Sequence, residues 1–188
     1  AATVDSQNIW ISTNSGATWT EATQWTGSGM KWRGITSSSD GTKLAAVAYG
    51  GNIWTSTDSG NTWTEDNSVG SLQNWTGITS SSDGTKLAAA ESPGYIWISN
   101  DSGNSWTPKT TSYQKWVAIT SSWDGTYLAA VENPGYIWTS PWGGISWMKD
   151  TSVGDTKVWF GIASSESGLK LAAVAARGLW TASLTYCD

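Results

Sequence analysis

The chain has 188 residues and a formal net charge of −5, and this acidic balance argues against nucleic acid or an anionic membrane as a partner. It contains no histidine and one cysteine, Cys187, which excludes histidine-based catalysis, an internal disulfide and a thiolate metal cluster. No run of about 18 apolar residues is present, so we expect no membrane insertion, and the composition predicts neither a metal nor another cofactor.

Three sequence anchors recur along the chain with a period of about 42 residues. The first is an aliphatic residue followed by Trp, at Ile9-Trp10, Ile53-Trp54, Ile96-Trp97, Ile137-Trp138 and Leu179-Trp180. The second is a segment such as "WRGITSS", which begins at Trp32, Trp75, Trp116 and Trp159. The third is a segment such as "KLAAV", which begins at Lys43, Lys86, Tyr127 and Lys170. With the Trp-containing segment that ends a unit, such as 105–107, each complete repeat holds four short apolar segments.

The third repeat shows how one unit is built. Its apolar segments, at 75–80, 86–90, 95–99 and 105–107, are short and are separated by Asp-Gly, Pro-Gly and Ser-Gly turns, which is typical of antiparallel strands in a meander. No stretch keeps an apolar period of 3.6 residues over ten residues, so the pattern does not favour helices. Four strands in a period of about 42 residues predict one blade of a β-propeller.

We therefore predict an all-β chain, residues 1–188, folded as a single β-propeller domain. The predicted blades are 1–20, 32–64, 75–107, 116–148 and 159–182. Five blades are favoured, with the first and last incomplete. A four-bladed ring, with 159–164 as the inner strand of the first blade, and a partial propeller completed by another copy stay open. Missing edge strands favour a homo-oligomer, because unpaired strand edges tend to associate.

The segments "STDSGNTWT" and "SNDSGNSWT", which begin at Ser56 and Ser99, resemble the Asp-box, or BNR repeat, of sialidase-like β-propellers. In that family the pattern Ser-x-Asp-x-Gly-x-Thr-Trp joins the third and fourth strands of a blade. The first copy has Asn14 at the Asp position, and the fourth copy has Trp142 there. The resemblance covers almost the whole chain. It implies a propeller fold, with a structural role for the turn itself.

Blade topology sorts the turns onto two faces, and one face carries the candidate ligand-binding residues. The inner strands begin there with tryptophan, and the turns "ESPGY" and "ENPGY" lie beside them. Aromatic rings next to carboxylates and amides are suited to neutral or amino sugars. The tryptophans could instead pack between blades, and the glutamates could be solvated turn residues. The candidate residues are Trp32, Trp75, Trp116, Trp159, Glu91, Tyr95, Glu132, Asn133 and Tyr136.

Two tryptophans outside the repeat pattern suggest a second kind of site. Trp123 replaces the Ser found at 39 and 82, and Trp142 replaces the Asp of the fourth box. Both belong to one blade and to turns on the same face, opposite the candidate sugar face. Exposed aromatic residues in neighbouring turns are typical of a contact with another subunit or protein.

The residue inventory argues against catalysis. Sialidases of the resembling family use three arginines, whereas this chain has only Arg33 and Arg177. Glu91 and Glu132 occupy equivalent repeat positions, which does not favour the two different environments that glycoside hydrolysis needs. We therefore expect a non-enzymatic protein, either a multivalent lectin that binds glycans or a scaffold that binds another protein. A glycoside hydrolase is the less favoured alternative. The start "AATVDSQN" is compatible with a processed secreted protein.

Overall fold

The computed structural model of the chain describes residues 2–3, 8–22, 29–109 and 113–184, with only the backbone for 2–3. Cys187 and parts of the first predicted blade lie outside these residues. The described chain consists of eighteen β-strands. Within it, no helix is long and apolar enough to cross a bilayer.

The strands fall into five successive modules that follow the sequence repeat. The first module contains β1 (Ala2–Thr3), β2 (Ile9–Ile11) and β3 (Thr20–Ala22). The second contains β4 (Lys31–Ser37), β5 (Leu44–Gly51), β6 (Ile53–Ser56) and β7 (Thr64–Asp66). The third contains β8 (Gln73–Ser80), β9 (Leu87–Glu91), β10 (Ile96–Ser99) and β11 (Thr107–Pro108). The fourth contains β12 (Trp116–Ser121), β13 (Leu128–Glu132), β14 (Ile137–Ser140) and β15 (Met148–Asp150). The fifth contains β16 (Trp159–Ser164), β17 (Lys170–Ala175) and β18 (Gly178–Ser183).

All strand pairings within a module are antiparallel, and each module is a meander. The second and third modules join into one eight-stranded sheet, because the end of β5 also pairs with the start of β8 through Tyr49 and Asn74. The predicted strands of the third repeat are confirmed within about two residues. The fold class is confirmed as all-β with several antiparallel sheets, while the number of blades in a closed ring stays a prediction.

The hydrophobic core lies between modules and repeats with the sequence. In each interface, aliphatic side chains from the second and third strands of one module pack against the inner-strand Trp of the next module. Between the second and third modules, Val47 and Ile53 cluster with Trp75 and Trp106. Burial of an aliphatic side chain of this kind contributes roughly 1.5–3 kcal/mol, so these contacts between modules stabilise the fold.

The inner strands β4, β8, β12 and β16 pack against one another in succession. Small residues permit this approach: a Cβ on Gly34 would lie 3.2 Å from the Cα of Gly77. Hydroxyl groups link the same strands. The Ser80 hydroxyl donates to the Ser37 carbonyl oxygen at 3.0 Å, and the Ser121 hydroxyl donates to the Ser80 carbonyl oxygen at 3.0 Å. The modules are therefore tied together at their inner edge.

The turns between the third and fourth strands are held by their own side chains. In the second module, Asp58 Oδ1 accepts from the Ser56 hydroxyl at 2.9 Å and from the Thr62 N–H at 2.8 Å. The Ser56 oxygen accepts from the N–H of Gly60, whose φ of 86° is in the left-handed region. The Thr62 hydroxyl also donates to Asp58, and this bond is the main cause that holds the pKa of Asp58 below its usual range. These bonds fix the turn at the end of this hairpin.

Candidate functional site

Backbone hydrogen bonds define two faces of the molecule. On the turn face, the turns between strands one and two lie beside the turns between strands three and four, which we call the outer turns. The Ser59 N–H of one outer turn donates to the Thr42 carbonyl oxygen at 2.9 Å. On the loop face, the turns between strands two and three contact the connections to the next module, where the Gly94 N–H donates to the Gln114 carbonyl oxygen at 2.8 Å. The two faces agree with the sequence-based assignment.

The four inner-strand tryptophans lie inside the protein. Their exposed fractions are between 0 and 2%, for Trp32, Trp75, Trp116 and Trp159. The last three donate from Nε1 to glycine carbonyl oxygens of the preceding module, at 3.0 to 3.1 Å, and they pack edge-on against the third-strand tryptophans of their own modules. The sugar platform expected at these tryptophans does not fit their burial, because side chains of the preceding module and of their own module already cover the rings.

The two glutamates of the loop face are also buried and bound internally. Glu91 Oε2 accepts from Trp97 Nε1 at 3.1 Å and from the Tyr95 N–H at 3.3 Å. Glu132 Oε1 accepts from the Tyr136 N–H at 3.2 Å. Their role as ligand contacts does not fit this geometry, because the carboxylates support the turns that follow them. They are not the solvated turn residues of the alternative interpretation either.

The remaining candidates on the loop face are partly exposed. Asn133, Tyr95 and Tyr136 are half-buried at the two turns. The Lys149 ammonium lies 4.5 Å from the centre of the Tyr136 ring and covers one of its faces. Tyr95 stacks edge-on with Tyr113 at 5.6 Å. The structure thus leaves the third-module turn, rather than all turns equally, with an open aromatic surface.

Tyr113, which the sequence repeat does not identify, is the most open of these rings, with 61% of its surface exposed. It lies in the connection between the third and fourth modules, close to the turn around Tyr95. The signal in the sequence is an aromatic ring three residues before the inner-strand Trp, where the equivalent positions hold Gly29, Leu72 and Thr156. Sequence spacing alone does not place it beside Tyr95.

Trp123 and Trp142 are both strongly exposed, at 56% and 57%. They lie on the turn face of the fourth module, in turns that are joined by a hydrogen bond from the Gly143 N–H to the Thr126 carbonyl oxygen at 2.7 Å. The Trp123 N–H also donates to the Glu166 carbonyl oxygen of the fifth module at 2.8 Å. The backbone beneath Trp123 is therefore fixed, while both rings face solvent. We call these two residues the tryptophan patch.

No metal-binding group is found in the described part of the chain, where no three His, Cys, Asp or Glu side chains come together in a suitable cluster. The carboxylates with the lowest pKa serve turns instead. Hydrogen bonds from the Ser38 hydroxyl and the Thr42 N–H lower the pKa of Asp40 to about 2, and bonds from Ser81 and Thr85 lower that of Asp83 to about 2. These groups are ionised at neutral pH and already hold their partners.

Comparison with known proteins bears on the fold alone. No family model matches the chain. No curated protein matches it either.

Solved structures match well despite low identity. YCF48 from Cyanidioschyzon merolae is 19% identical, with a TM-score of 0.61 over 81% of this chain and 53% of that one. A structure of YCF48 bound to D1 peptide is 16% identical, with a TM-score of 0.66 over 94% and 60%. The GH74 xyloglucanase from Xanthomonas campestris is 17% identical, with a TM-score of 0.65 over 90% and 32%. The chain thus spans between a third and three fifths of these proteins, and it has the fold of β-propeller proteins.

Proposed function

We propose that this chain is a non-catalytic scaffold that binds an apolar segment of a partner protein on the tryptophan patch. The single observation that carries the proposal is the exposure of Trp123 and Trp142 on fixed turns of one module. Large exposed rings on a fixed backbone leave only their own side-chain rotations to be ordered on binding, and tryptophan is enriched among residues that dominate binding energy.

The repeat strengthens this interpretation. The residue equivalent to Trp123 is Ser82 in the third module, and the residue equivalent to Trp142 is Asp101. Asp101 accepts hydrogen bonds from the Ser105 and Ser99 hydroxyls within its turn, and Trp142 cannot accept them. The fourth module therefore gives up turn bonds and exposes an aromatic ring. Binding of a partner by the exposed ring would compensate for the stability that is lost with these turn bonds.

We further propose that the outer turns belong to the Asp-box type. The bonds of Asp58 to Ser56 and Thr62 support this assignment, as does the same arrangement around Asp101. The structural match to YCF48 bound to D1 peptide supports peptide binding by analogy of fold.

A peptide-display selection tests the scaffold proposal. We expect peptides rich in aromatic or aliphatic residues to be enriched on the wild-type chain, and the double variant Trp123→Ser with Trp142→Asp to lose at least tenfold in affinity for them. The variant Tyr113→Ser, on the opposite face, is the matched control and should bind as the wild type does. Equal binding by the double variant would contradict the proposal.

Carbohydrate binding is the second candidate, and the exposed Tyr113 ring beside Tyr95 favours it. A tyrosine ring offers a face for the C–H surface of a sugar, and its hydroxyl offers a hydrogen bond. This site would lie on the loop face, as the sequence predicts, but at one turn instead of at each module. A glycan array tests it: binding to a neutral or amino sugar should be lost in Tyr113→Ala and kept in the Trp123→Ser, Trp142→Asp variant. Absence of binding to any sugar would contradict this candidate.

A further inference from the structure

Each pair of neighbouring modules is joined by two complementary surfaces. We call the first the outgoing face: it contains one residue from the second strand and its direct partner on the third strand. These partners are Val47 with Ile53, Ala90 with Ile96, and Val131 with Ile137. We call the second the incoming face, which contains the tryptophans of the next module. All six outgoing residues are buried, because an incoming face covers each pair.

The fifth module has the same outgoing face, but it is bare in the described part of the chain. Val174 pairs directly with Leu179, in the same register as the earlier pairs. Val174 is 48% exposed and Leu179 is 69% exposed, whereas their counterparts Val47 and Ile53 are 0% and 1% exposed. The inner strand is open as well, since a Cβ on Gly161 would meet nothing within 4 Å. An apolar surface of this kind is typical of an interaction site.

The first module carries the complementary half, an incoming face that the described residues leave partly uncovered. Trp19 is 45% exposed, while its repeat equivalent Trp106 is 7% exposed and packs in the core between the second and third modules. Trp10, the equivalent of Trp97, is partly exposed. The two ends of the described chain therefore carry the two halves of the interface that joins the modules inside it.

We propose that the outgoing face of the fifth module, at Val174 and Leu179, binds the incoming face of the first module, at Trp10 and Trp19, of a second copy of this chain. The occupant follows from the repeat, because in the earlier modules each outgoing face is covered by an incoming face. Charge favours this head-to-tail order. Exposed Arg177 precedes Leu179, and exposed Glu21 lies opposite Trp10 on the neighbouring strand.

A symmetric contact between two outgoing faces is disfavoured by the same charges. It would bring both copies of Arg177 and Lys170 towards one another, and like charges at an interface oppose association. A head-to-tail contact uses two different patches, so it builds rings or open chains of copies. The first module has no inner strand in the described residues, so this contact is smaller than those inside the chain. We therefore expect association that depends on protein concentration.

Sedimentation equilibrium over a wide concentration range tests the proposal. The wild-type chain should show masses that rise above 20.0 kDa with concentration, and Leu179→Glu should remain at 20.0 kDa. Leu72→Glu, at another strongly exposed leucine outside the strands, is the matched control and should associate as the wild type does. A wild-type chain that stays monomeric at all concentrations, or a control that dissociates as well, would overturn the proposal. Near-UV circular dichroism confirms that each variant is folded.

Cross-linking tests the orientation of the contact. In a Cys187→Ser background, chains with Leu179→Cys and chains with Trp19→Cys are treated with a short bismaleimide, separately and as a mixture. We expect covalent dimers in the mixture and none in either chain alone. Dimers of the Leu179→Cys chain alone would overturn the head-to-tail order, and no dimers in any sample would overturn the contact. The Trp123→Ser, Trp142→Asp variant should associate normally, which separates this proposal from the partner site.

Discussion

Trp116 extends across the boundary between the third and fourth modules and donates from Nε1 to the carbonyl oxygen of Gly94 at 3.1 Å. The same bond joins Trp75 to Gly51 and Trp159 to Gly135. Each of these tryptophans thus closes an interface with a buried ring and a satisfied N–H. This repeated bond explains why the residue recurs in the sequence.

Replacing Trp116 by Ala should lower the free energy of unfolding by about 3–5 kcal/mol, since a fully buried ring is lost and a cavity remains. Replacing the exposed Trp123 by Ala should change it by less than about 0.5 kcal/mol. Urea unfolding followed by circular dichroism measures both values. Similar losses for the two variants would contradict the assigned packing role of Trp116.

Replacing Gly94 by Ala should destabilise the protein by about 1–3 kcal/mol, because the new methyl group would overlap the buried Glu91 carboxyl group. Gly161→Ala is the control, since its methyl group enters open space at the end of the array. Its unfolding midpoint, measured at low protein concentration, should stay close to that of the wild type. If Gly94→Ala unfolds at the wild-type midpoint, Glu91 is not fixed beneath its turn.

Replacing Ser99 by Ala should cost about 1–3 kcal/mol, because the buried hydroxyl accepts from the Gly103 N–H at 2.9 Å and donates to Asp101 at 2.7 Å. Ser12 makes the equivalent bonds in the first module, where water reaches the exposed Gly16. Thermal or urea unfolding should therefore show a smaller loss for Ser12→Ala. Equal losses would indicate that burial does not decide the strength of these turns.

Stability should fall in acid through the turn carboxylates. The Ser81 hydroxyl and the Thr85 N–H lower the pKa of Asp83 to about 2, below the value of about 3.9 for an unfolded chain. A lowered pKa means that the carboxylate stabilises the fold above about pH 4 and that this contribution is lost as the pH falls towards 2.

Asp83→Asn should therefore be less stable than the wild type at pH 7, and the difference should shrink as the pH falls from 4 to 2. Asp155→Asn, at an exposed loop position, is the control. Urea midpoints at several pH values measure the effect. A difference between Asp83→Asn and the wild type that stays constant with pH would show that ionisation of Asp83 does not stabilise the fold.

The repeat and the strands were predictable because they depend on local patterns. Alternating apolar segments, Asp-Gly turns and the Ser-x-Asp-x-Gly pattern act within a few residues, so strands such as β8 and β10 lie where the sequence places them. The division of turns between two faces was also predictable, because successive turns of an antiparallel meander alternate between the two ends of the strands. The exposed positions of Trp123 and Trp142 were indicated by their departure from the repeat.

The burial of Trp75 and Glu91 was decided by the tertiary structure. Both residues have chemistry suited to a sugar site, but the next strand and the neighbouring module cover them. Burial depends on what packs against a residue in space. Equivalent positions of a repeat have the same local sequence whether or not another module packs against them. For that reason Leu179 and Ile53 have equivalent sequence positions and opposite exposures, and only the three-dimensional arrangement separates a core residue from a surface available to a partner.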